Sequence, residues 1–228
     1  MKRWMEKPRL LGVAFLVVVV TSLIGGLFDT AAGSGNISNV LVSVAGHVTL
    51  ARVSILGGVA NSVGIIILAV LLYVVLRSQN KTIALVALGF WFAEAVFYAV
   101  MQLGAGSLIP LSQGFIGAGS PANSFYQTLG VFLYDGVYKL GLSIHMWFYC
   151  LGGVLWYSLF YTSRSIPRAL SVFGIAAVLV GTLGIVFTLL GFDVPIYAYL
   201  PIGVFEILTG FWLALRGIPE RSLVEVSV

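Results

Sequence analysis

The 228-residue chain is 60% hydrophobic and 9% charged, with a formal net charge of +4. A soluble domain normally carries about a quarter charged residues, so this composition excludes an ordinary water-solvated globule and points to a bilayer. The basic residues sit in short groups between apolar runs, the positive-inside pattern and not a phosphate-binding face, so no nucleic-acid partner is expected. A single cysteine, Cys150, rules out an internal disulfide or a multi-cysteine metal site, and its apolar neighbours give it a packing role.

Six runs are long enough to span roughly 30 Å of hydrocarbon at about 20 residues each: 10–28, 50–76, 82–101, 137–161, 169–190 and 197–215. The first follows a basic stretch, as a signal peptide would, but it exceeds a usual signal core and is read as a retained helix. Lys2, Arg3, Lys7 and Arg9 precede it; Arg77 and Lys81 bracket the second turn; Arg164 and Arg168 bracket the fourth; Arg216 and Arg221 follow the sixth. The alternate connections hold no Lys or Arg between the spans, so the expectation is one transmembrane domain over 1–228, an all-α bundle of six transmembrane helices. It would be a multi-pass protein of the cell membrane with both termini cytoplasmic.

Several local features refine this picture. Trp4, Trp156, Tyr157 and Tyr161 fall near the cytoplasmic boundary, as interfacial anchors do, although Trp156 reads equally well as a packed ring. Ser165 in Arg164-Ser165-Ile166-Pro167-Arg168 is a candidate cap for the fifth span. The glycine- and serine-rich stretch 104–120 is expected to be a loop, not a spanning helix. Ser120-Pro121 then offers a helix start for 122–132. A straight helix from there to Tyr161 would measure roughly 60 Å, so a bend near Gly130 or Gly136 is expected, with 122–132 a short interfacial helix on the outer side. Asn36-Ile37-Ser38 matches a glycosylation sequon. No internal repeat is evident, and an inverted-repeat transporter is not indicated.

Polar residues inside the runs are costly and need partners or water. Counting helical rise at 1.5 Å per residue puts Glu94 and His145 at about 12 Å below the outer boundary, Glu206 at about 13 Å and Asn61 at about 16 Å. Glu94, Tyr98 and Gln102 recur every four residues, a polar stripe on one helix face. Tyr199, Gly203, Glu206 and Gly210 share another, whose glycines suit close backbone approach. Tyr138, His145 and Gly152 share a third, and Gly57, Gly58, Asn61, Ser62 and Gly64 form a small-residue face. Arg52 can reach down toward Glu94 or Glu206, or snorkel to headgroups. Asp135 and Lys139 form a local i, i+4 pair.

The candidate ligand- or proton-binding residues are therefore Glu94, His145, Glu206, Asn61, Tyr98 and Arg52. Three readings follow. The first is a membrane protein that binds or moves a small molecule or proton through an outward-facing pocket lined by Glu94, His145 and Glu206. The second is a lipid-modifying or metal-dependent enzyme drawing ligands from those three, or using His47. A haem held by His47 and His145 would need them at one level, and His47 is too shallow. The third is a non-catalytic assembly or regulatory subunit. Paired-histidine motifs, a nucleophile elbow and a phosphate loop are all missing from the sequence, so no catalytic residue and no resident cofactor is assigned. The expected partners are membrane lipids and a small molecule or proton.

Ala51-Arg52-Val53, the stretch 71–88, Glu94-Ala95-Val96, the stretch 164–170, Phe205-Glu206 and the stretch 212–217, taken in that order, resemble a prokaryotic family of multi-pass membrane proteins, domain of unknown function 4386. The resemblance runs from Leu10 to Pro219 and implies the same membrane fold. It implies that Arg52, Glu94 and Glu206 occupy positions where the family carries matching polar residues. It brings no activity with it.

Overall fold

A computed structural model describes residues 2–218, with the side chains of residues 2–8 and of residue 196 outside that description. The described residues are helical throughout, without strands: α1 (Lys2–Ala32), α2 (Ile37–Gly46), α3 (Val48–Leu76), α4 (Lys81–Gly117), α5 (Phe125–Val131), a run of wide π turns over Phe132–Lys139, α6 (Leu140–Ser163), α7 (Arg168–Leu189), a 3₁₀ turn over Ile196–Tyr199, and α8 (Leu200–Arg216). Five segments are long and apolar enough to cross a membrane: Arg9–Ala32, Val48–Leu76, Lys81–Gly117, Arg168–Leu189 and Tyr197–Arg216. The 24-residue α6 has the length but carries His145 and three tyrosines, which lower its mean hydropathy. Trp4 and Arg221, both assigned to the cytoplasmic face from sequence, lie outside the described side chains.

The chain divides into two compact units, residues 1–19, 64–95 and 145–228 in the first, and 20–63 and 96–144 in the second. In the first, α1 and α8 come into backbone contact because both offer glycine. A Cβ on Gly12 would lie 2.2 Å from the Ala214 nitrogen, and one on Gly210 would meet the Leu16 side chain at 2.8 Å. In lipid, where burial of apolar surface supplies no drive, such close packing is what holds helices together. Gly203, expected to help on the same face, has open space around it. Gly174 of α7 receives the ring of Phe205. Around these crossings Trp91, Trp156, Tyr157, Phe160 and Phe205 are fully buried. Trp156 and Tyr157 are thus interior residues and not interfacial anchors, because α6 turns them onto Trp91 and Phe205, with ring centroids 6.2 and 4.2 Å apart. Tyr161 remains exposed, with the Arg168 guanidinium 5.0 Å from its ring. Ser165 does not cap α7. Its hydroxyl lies 2.7 Å from that of Ser163, and Pro167 occupies the cap position.

The second unit departs further from the sequence expectation. Residues 104–117 are not a loop: α4 continues through them to a length of 37 residues, about 55 Å at 1.5 Å per residue. Ala105, Leu108, Ile109 and Ser112 are buried at i, i+3, i+4 and i+7, so packing of one face overrides the glycines, while Pro110 faces outward. Gly104 is required there, since a Cβ would sit 2.9 Å from the Leu133 carbonyl oxygen. The connection after α1 is also more ordered than expected. Gly33 and Gly35 adopt positive φ, and the Asn36 side chain then caps α2 by accepting from the Asn39 N–H at 3.0 Å. Ser120 does not start a helix, because its φ of 55° is left-handed. The start falls instead at Ser124, whose N–H donates to Gln127 Oε1 at 3.0 Å. Gln127 in turn donates to Ser38 Oγ at 2.6 Å, tying α5 to α2. The backbone accommodates residues 132–139 by widening into π turns where a bend was expected, and stays helical into α6.

Candidate functional site

Of the residues singled out from sequence, Glu94, His145 and Glu206 belong to the first unit. Glu206, on α8, accepts a hydrogen bond from the Tyr149 hydroxyl of α6 at 3.1 Å. Tyr149 is itself 2.7 Å from the Tyr157 hydroxyl, two turns further along α6. When the Glu206 carboxylate accepts from Tyr149, Tyr157 donates to Tyr149, and the three form a chain from Tyr157 through Tyr149 to Glu206.

The chain is held from a third helix. Trp91 of α4 stacks on the Tyr149 ring at 5.6 Å, and its Nε1–H donates to the Tyr149 carbonyl at 3.1 Å. Gly152 makes room for that indole, since a Cβ would come within 2.3 Å of Trp91 Cδ1. Glu94 lies one turn beyond Trp91 on α4, almost completely buried, within electrostatic reach of Glu206, Tyr157 and Cys150. Its Oε2 is buried without a hydrogen-bond partner. Trp156 Nε1, Ser171 Oγ and Thr209 Oγ1 of the same unit share that condition. Buried polar atoms are almost always paired, and each one left unpaired costs about 1–3 kcal/mol. Two carboxyls within reach of each other, one served by a hydroxyl chain and one not, form a group that can exchange a proton or engage a small polar ligand.

His145 is buried one turn before Tyr149. Among the described residues no three His, Cys, Asp or Glu side chains converge as metal ligands, so Glu94, His145 and Glu206 do not make the ligand set considered from sequence.

Asn61, Tyr98 and Arg52 fall in the second unit. Asn61 of α3 accepts from the Thr21 hydroxyl of α1 at 2.9 Å. Tyr98 of α4 places its hydroxyl against Gly25 of α1, where a Cβ would be 2.6 Å away. Gln102 likewise lies over Gly58. Arg52 is exposed, as is His47. This unit also holds a polar contact not anticipated from sequence: Tyr138 donates to Asp29 Oδ1 at 3.1 Å. The Asp135–Lys139 pair forms at 3.3 Å with both side chains about half exposed.

Sequence reasoning missed Tyr149 and gave Tyr157 to the membrane surface. The spacing of Tyr149 from His145, i+4, was a signal that these two share a face. Trp91 had no such signal.

The profile of the family described as a domain of unknown function (DUF4386) matches residues 10–217, and the chain belongs to that family. No curated protein and no solved structure matches the chain.

Proposed function

We propose that this family member is a multi-pass protein of the cell membrane that binds or moves a proton, or a small molecule together with one, at the Glu94–Glu206 core. In this reading α6 also crosses, as the fourth of six spans, both termini are cytoplasmic, and α5 lies along the outer surface with Phe125 toward lipid. The observation that carries the reading is the pairing of an unpartnered buried carboxyl oxygen on Glu94 with the Tyr157–Tyr149–Glu206 chain. Hydroxyls in series pass protons without moving heavy atoms, and a carboxyl inside lipid is otherwise costly enough to need a purpose. His145, of the same unit, would flank the route.

The test is proton flux into liposomes holding the purified chain, with Glu94→Gln and Glu206→Gln beside wild type. Loss of flux in both correctly folded variants supports the proposal. Wild-type flux in both variants, or none above empty liposomes in any sample, overturns it.

A second reading, an assembly or regulatory subunit, is favoured by one observation. Trp156, Tyr157 and Phe205, on the same helices as Tyr149 and Glu206, have no exposed surface. It predicts that the same substitutions lower stability and leave no flux to lose.

A further inference from the structure

The turn between α6 and α7 carries a second feature, independent of the carboxyl core. Arg164, Ser165, Ile166, Pro167 and Arg168 of the turn, with Trp212 of α8, line a cavity of about 390 Å³. That volume lies in the range of small-molecule sites. Two of its six lining residues are arginines, and the guanidinium of Arg168 also lies over the Tyr161 ring. A third arginine, Arg216, has its guanidinium carbon 4.4 Å from the centre of the ring of Trp212, one of the lining residues. Among the described residues no carboxylate pairs with Arg164, Arg168 or Arg216, the ion pair there being Asp135–Lys139. Arg164 is held at φ 55°, left-handed for a residue with a side chain, between the end of α6 and the start of α7. The cavity also sits at the ends of three apolar helices, where α6 stops at Ser163, α7 starts at Arg168 and α8 approaches its end at Arg216. In a bilayer that is the depth at which hydrocarbon gives way to headgroups.

We propose that this cavity binds a phosphate anion, the group shared by an anionic phospholipid headgroup and by free phosphate. Guanidinium forks match phosphate oxygens in pairs, and a basic pocket between spans at the headgroup level is the arrangement that selects anionic lipids. The indole wall packs against the glycerol or acyl portion if the phosphate belongs to a lipid.

The test is retention of phosphatidylglycerol against phosphatidylcholine by the full chain in detergent, read by native mass spectrometry, together with the effect of inorganic phosphate on its melting temperature. The double variant Arg164→Gln/Arg168→Gln should hold phosphatidylglycerol about tenfold more weakly. Arg77→Gln/Lys81→Gln, which removes the same charge from the α3–α4 turn, should bind as wild type. Pocket-dependent lipid retention without a phosphate effect assigns the site to a headgroup. A rise in melting temperature with inorganic phosphate, absent from the Arg164/Arg168 variant, assigns it to the free anion. Equal lipid binding by wild type and the Arg164/Arg168 variant without a phosphate effect overturns the proposal, as does equal loss in both double variants. If the Arg164/Arg168 pair of changes prevents folding, Arg168→Gln and Trp212→Ala replace it, each expected to weaken binding, and wild-type binding by both overturns it.

Discussion

Tyr149 and Glu206 stand on different helices, and a single 3.1 Å hydrogen bond joins the hydroxyl of one to the carboxyl of the other. Tyr149→Phe keeps the ring that stacks on Trp91 and removes only the oxygen. Hydrogen bonds between membrane helices average near 0.6 kcal/mol and those in soluble proteins near 1, so a loss of about 1 kcal/mol is expected. Thermal unfolding in detergent measures it. Combining the change with Glu206→Gln should show coupling, because both substitutions disturb one bond.

The glycines of the first unit should rank by what stands in front of them. Gly12→Ala drives a methyl into the α8 backbone and should cost about 1–3 kcal/mol. Gly210→Ala meets side-chain atoms and not backbone, Leu16 Cδ2 and Cγ at 2.8 and 2.9 Å and Phe15 Cβ at 3.2 Å, and should cost less. Gly203→Ala meets nothing and should be neutral. Melting temperatures of the three variants check the order.

Replacing Glu94 by Leu should separate stability from activity. The substitution removes an acid whose Oε2 has no hydrogen-bond donor and fills the space with hydrocarbon. Buried charged groups exchanged for apolar ones are often neutral or stabilising by about 1–4 kcal/mol. An unchanged or raised melting temperature together with lost flux is expected. A large drop in stability would mean the carboxyl is structural.

Gln127 contacts both Ser124 and Ser38, so Gln127→Ala should loosen α5 without affecting the first unit. Faster amide exchange over 125–131, with unchanged exchange across α7 and α8, is the expected result.

The membrane class, the family and most helix positions were legible in the sequence because apolar run length and basic-residue placement are one-dimensional signals. The stretch 104–117 was misread because glycine and serine were weighed as loop formers. The stripe Ala105, Leu108, Ile109 and Ser112 outweighs them once there is a surface to pack on. Glu94 and Glu206 stood out because a carboxyl in an apolar run is conspicuous. Tyr157 did not, because an aromatic ring near a predicted boundary looks the same whether it faces lipid or the interior, and neither did Tyr149, because a tyrosine in mid-span looks like any other packed ring. That difference depends on where Trp91 and Phe205 arrive from other helices, which no local pattern records.

The stacking of Trp91 on Tyr149 gives the protein a built-in optical gauge. An indole that close to the phenol reports on the polarity and hydrogen bonding around it through its emission. The five tryptophans obscure that signal, but Trp91→Phe supplies the spectrum to subtract. Events at the Glu206 carboxyl can thus be followed in the unlabelled molecule, in real time, with ultraviolet light alone.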